Sequence, residues 1–139
     1  MNNVGVANRE IELHDTRIKR IERANASIVL SLSACMHESD GRPGWDRGTV
    51  WSLPARLVIE NGEFARPFSS TVLWVTDGHI AVGDLLFDNS IPLPFDEHGT
   101  IRLFLSGAEG ELVISGNRAY IEPTGPAIYV EEFSGSGGV

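Results

Sequence analysis

Residues 36–48 read MHESDGRPGWDRG and bring His37, Asp40, Arg42, Trp45, Asp46 and Arg47 together between two apolar runs. Loops that core packing does not explain are where binding and catalysis concentrate. A tryptophan set among arginines and aspartates has the composition of a protein-binding hot spot, so these six residues form the candidate partner-binding set. The competing expectation is that Trp45 folds back as a plug over one end of the core. Cys35, His37, Asp40 and Asp46 offer the donor types of a mixed metal site. Closed zinc sites, however, pair their ligands as Cys-x2–4-Cys or His-x3–5-His, and this set would need His14, His79 or His98 recruited from elsewhere. Asp40 and Asp46 lack the oxygen-rich spacing of an EF-hand. Neither a metal nor a cofactor is expected.

Other reactive chemistry finds little to stand on. His14-Asp15 has the letters of the HD pair of metal-dependent phosphohydrolases, whose chemistry needs further ligands presented from helices. On a strand, Asp15 is expected instead to accept from nearby backbone N–H groups. No G-x-S-x-G elbow occurs, and Ser106 sits in a turn with no identifiable His partner. The sole lysine, Lys19, follows no glycine loop that would cradle a phosphate. Asp96-Glu97 and Glu131-Glu132 are sequence neighbours, which on a strand point to opposite faces and cannot share a proton. Cys35 closes the apolar run SIVLSLSAC and reads as a small buried hydrophobe. No catalytic residue is assigned, and an enzyme is not expected.

The elements that must position these residues alternate with period two. Ile28, Leu30, Leu32 and Ala34 share one face of a strand while Val29, Ser31 and Ser33 share the other. Residues 10–23 read as its partner across an Ala24-Asn25-Ala26 turn. There the inward parity switches between Leu13 and Ile18, which predicts a bulge near His14-Asp15-Thr16. In the strand over 49–60, Pro54 argues for an edge or a bulge rather than a central position. Asn61-Gly62 is a turn, and Asp77-Gly78 predicts a hairpin between 70–76 and 79–82. Residues 84–98 read as an extended connection, and Gly116-Asn117 as a break between 111–115 and 118–122. Trp51 and Trp74 are expected in the core. Eight to ten short strands follow, arranged as an antiparallel β-sandwich or open barrel.

At 139 residues, 42% hydrophobic and 22% charged, the chain has the size and balance of one globular domain. A single β domain over 1–133 and a disordered tail over 134–139 are expected. No apolar run approaches the roughly 20 residues that cross a bilayer. The start, MNNVGVANRE, does not resemble a secretory signal, so a cytoplasmic protein without membrane partners is expected. Of the net charge of -8, most lies late: residues 77–139 hold Arg102 and Arg118 against ten acids. That field repels phosphate backbones, which argues against nucleic acid and suits a basic protein partner.

The opening IELHDTRIKRIE, the loop HESDGRPGWDRGT and the close GPAIYVEEF together resemble small, functionally uncharacterised bacterial β-proteins. Similar His-Asp openings occur among immunity-like proteins of polymorphic toxin systems, which bind and neutralise a cognate toxin. The resemblance spans about Ile11 to Phe133 and implies a non-enzymatic protein that occludes a partner, such as a basic toxin domain. It assigns no catalytic residue. The alternative is a small-molecule- or metal-binding β-domain, enzymatic or not, with its site near residues 36–48. A homo-oligomer joined through strand edges is the third reading.

Overall fold

The structure is a computed structural model that describes residues 7–135. Among the described residues, eleven strands form one antiparallel sheet that curls into a half-barrel. They are β1 (Asn8–Ala24), β2 (Ser27–Ser39), β3 (Gly48–Glu60), β4 (Glu63–Phe64), β5 (Leu73–Trp74), β6 (Asp77–Val82), β7 (Leu85–Asp88), β8 (Ser90–Leu93), β9 (Phe95–Gly107), β10 (Gly110–Pro123) and β11 (Ile128–Phe133). The main path runs β5-β1-β2-β3-β10-β9-β6-β7, with β8 on β1, β4 on β10 and β11 on β3. The all-β expectation holds, and the curled sheet takes the barrel form rather than that of a sandwich. Among the described residues there is no helix long and apolar enough to cross a membrane.

The alternation read from the sequence sets the inside of the curl. Ile28, Leu30, Leu32 and Ala34 of β2 are buried with Ile11, Leu13 and Ile18 of β1 and Leu53, Ala55, Leu57 and Ile59 of β3. Ile101, Leu103 and Leu105 of β9 and Leu112 and Ile114 of β10 complete the same core. The β1–β2 ladder breaks between Glu12 and Arg17, and Asp15 takes φ +75°, so the bulge foreseen from the parity switch is present. Thr16, fully buried, stitches it: its hydroxyl donates to Glu12 O over 2.7 Å and accepts from Cys35 N over 3.2 Å. Asp15 does not cap backbone N–H groups as expected; its carboxylate lies 3.3 Å from His14 Nδ1, and both side chains are exposed.

Several turn assignments fall differently. Asp77 and Gly78 open β6 instead of closing a hairpin, pairing with Ser106 and Leu105 of β9. Gly78 is needed for close approach, since a Cβ there would meet Leu105 Cδ2 at 2.7 Å. The hairpin lies instead at Gly83-Asp84, where Val82 pairs with Leu85 and Gly83 takes φ +57°. Residues 84–98 supply β7, β8 and the start of β9 rather than a plain connection. Gly116-Asn117 is a bulge inside β10, not a break. Trp51 packs partly against the core, whereas Trp74 is 53% exposed, because its β5 strand pairs only through Arg17 and Ile18.

Pro54 sits in a central strand, contrary to expectation, yet at a seam. β10 ends opposite Ala55 and β11 begins opposite Ser52, so both lie end to end along the same side of β3. Thr124 N donates to Pro54 O over 2.9 Å in the gap. A proline is tolerated there because the regular ladder is already interrupted. Of the expected tail 134–139, Ser134 and Gly135 follow β11, and residues 136–139 lie outside the described residues.

Candidate functional site

At the seam end, β8, β1, β2, β3 and β11 lie side by side, and each face carries a distinct feature. Period two along β2 places Cys35 and His37 on the outer face, and the bulge sets Glu12 opposite Cys35 and Glu10 opposite His37. His37 Nε2 donates to Glu12 Oε1 over 3.0 Å, and Cys35 Sγ donates to the same oxygen over 3.8 Å. His37 is 9% exposed in its side chain, and its Nδ1 is buried with no hydrogen-bond partner among the described residues. The hydrogen bond from His37 holds the Glu12 carboxyl below the usual range against partial burial. Burial and the neighbouring carboxylates Glu12 and Asp15 push the Cys35 thiol up to about 12, so it is protonated at neutral pH. It is half-buried on the outer face beside Glu12, not the core hydrophobe that its place in an apolar run implied.

The cover over this cluster comes from two places. Phe133 of β11 meets the His37 ring edge to face at 5.1 Å. Pro43 and Gly44 of the 40–47 loop close the other side, leaving a cavity of about 90 Å³ bordered by Glu10, Glu12, His37 and Ser90.

The loop is held by its own groups. Asp46 Oδ2 accepts from Arg42 N over 2.6 Å, and Ser39 Oγ donates to Arg47 O over 2.7 Å. The Arg42 guanidinium lies over the Trp45 ring at 5.2 Å, and Trp45 is 50% exposed. Trp45 is therefore not a plug. Of the six candidate partner-binding residues, Asp40, Arg42, Trp45, Asp46 and Arg47 share the exposed loop, whereas His37 is buried beneath it. Asp46 turns into the loop and Asp40 is solvent-facing, so the acid that joins Cys35 and His37 is Glu12, which the sequence reading did not select. His79 stacks on Phe104 and His98 pairs with Asp96, and neither joins the cluster.

Beside the loop, β11 is bonded to β3 along one edge, and among the described residues no strand pairs with its other edge. Ile128, Tyr129 and Val130 are 65%, 49% and 53% exposed. Gly135 lies against the backbone of Trp45, Asp46 and Arg47, so loop and strand make one continuous surface.

The inner face at this end opens as a cavity of about 610 Å³ with Met36, Leu53, Leu93 and Ile121 as its apolar lining. Arg9 and Glu38 pair at 2.8 Å on its wall. Comparison with family models, with curated proteins and with solved structures finds no match for this chain.

Proposed function

We propose that this chain is a non-enzymatic binding protein of immunity-like type that occludes a basic partner protein, with the 40–47 loop and β11 as the contact surface. The observation that carries the reading is the union of an open apolar strand edge with an exposed Arg42-Trp45 stack. A free edge recruits an extended segment through main-chain hydrogen bonds, and side chains beside it supply specificity. Tryptophan and arginine are the residue types that dominate interface energetics. Exposed Glu131 and Glu132 on the same strand favour a cationic segment.

The test is pairwise binding of the purified chain to products of neighbouring genes, by biolayer interferometry, with Trp45→Ala and Val130→Lys as variants. A complex should form with one of them, and each variant should weaken it by about thirtyfold, the loss that corresponds to a hot-spot truncation. Both variants should melt within a few degrees of the wild type. Absence of any complex, or full affinity in both variants, rejects the reading. Self-association through β11 would appear as a dimer in sedimentation and would point to the oligomer reading instead.

A second reading rests on the inner cavity, whose volume lies in the range of small-molecule sites. An apolar floor beside an Arg–Glu pair suits a small amphipathic ligand. Saturable, one-per-chain binding of an anionic naphthalene dye, lost in Leu53→Trp, supports it; dye binding unchanged by that cavity-filling variant excludes it.

A further inference from the structure

We infer that Glu12, Cys35 and His37 form a zinc-binding site on the outer face of the β1–β2 hairpin. One ligand atom from each lies within 4.8 Å of the others. Across a tetrahedral zinc with ordinary bond lengths, neighbouring sulfur, nitrogen and oxygen donors stand roughly 3.3–3.6 Å apart. Two of the three separations, 3.0 Å from His37 Nε2 to Glu12 Oε1 and 3.8 Å from Cys35 Sγ to the same oxygen, need shifts of a few tenths of an ångström, and the third, from Cys35 Sγ to the His37 ring, lies within 4.8 Å and closes by side-chain rotation. A thiolate, an imidazole and a carboxylate together suit zinc rather than magnesium or calcium, which prefer all-oxygen shells.

Two further observations point to a ligand at this place. The cavity of about 90 Å³ borders Glu12 and His37, two of the three residues, and leaves room beside them for a water or small anion. The buried His37 Nδ1 has no hydrogen-bond partner among the described residues, an unsatisfied polar atom of the kind that marks an incomplete site. The proton balance is then complete: the His37 proton relocates to Nδ1, Cys35 releases its thiol proton to solvent, and Glu12 is already ionised. Binding accordingly weakens as pH falls.

The test uses the purified full chain with cobalt as an optical probe and zinc in competition with a chromophoric chelator. One zinc per chain should bind, and cobalt should give a thiolate charge-transfer band that zinc removes. Cys35→Ser, nearly isosteric, should abolish that band and weaken zinc binding about tenfold or more. Glu12→Gln should weaken binding while keeping the band, which shows that the folded site still presents its sulfur. Zinc, but not magnesium, should slow alkylation of Cys35 in the native protein. No uptake of zinc by the wild-type chain, or equal affinity in Cys35→Ser, overturns the assignment.

Discussion

His37 and Glu12 are bound to each other across the β1–β2 ladder by a 3.0 Å hydrogen bond, and no other described group bonds the imidazole. Truncating Glu12→Ala leaves a buried imidazole with both nitrogens unpaired. The cost should be about 1–3 kcal/mol, read from urea unfolding at neutral pH.

The pH dependence of that bond has a definite sign. His37 holds the Glu12 carboxyl below its ordinary value of 4.5, so the native state favours the ionised form. Its stabilisation is fully present above that value and is lost as pH falls through the lower, folded one. The stability gap between wild type and Glu12→Gln should therefore be constant near neutrality and close below pH 4.5, measured by denaturation across pH. A gap that widens with acid would contradict the pairing.

Leu32, 4% exposed on the inner face of β2, should be costly to truncate. Leu32→Ala is expected to lose about 2–5 kcal/mol, because the surrounding half-barrel relaxes only partly around the void.

Trp45 should behave oppositely. Half its surface is exposed and its described ring contact is the Arg42 stack, so Trp45→Ala should cost only about 0.5–1 kcal/mol in thermal unfolding. A loss of several kcal/mol would return the residue to the role of a core plug.

Gly48 begins β3 so close to β2 that a Cβ would collide with the backbone carbonyl of Glu38. Gly48→Ala should destabilise by about 1–3 kcal/mol, since backbone rather than a flexible side chain must move. Because Gly48 pairs with Phe133, the same change should also loosen β11, visible as faster exchange of its amides.

How far the chain is legible can be seen by comparing particular residues. The core face of β2 followed from alternation, because a half-buried strand leaves no other reading of Leu30 and Leu32 between serines. The bulge followed from Leu13 and Ile18 having opposite parity. Its size did not. Continued from the Ala24–Ser27 pair without bulges, the hairpin would set Glu12 opposite Ser39 and Cys35 opposite Thr16. The actual partners differ because two irregularities, between Glu12 and Arg17 and between Ile18 and Arg20, shift the register. Cys35-x-His37 was a usable signal for one outer face; its acidic partner was hidden by that shift. Glycine misled for a related reason: at Gly78 and Gly116 it serves close approach inside a ladder, and in sequence this looks the same as a turn.

The seam at Pro54 has a mechanical consequence. β11 contributes no residue to the buried core cluster and hangs from β3 along one edge, separated from β10 by residues 124–127. Its amides are therefore expected to exchange by local opening rather than by global unfolding, faster than those of β2 and β3. Each such opening withdraws Phe133 from His37. The accessibility of the buried imidazole is then expected to follow the local stability of the last strand, not that of the whole sheet.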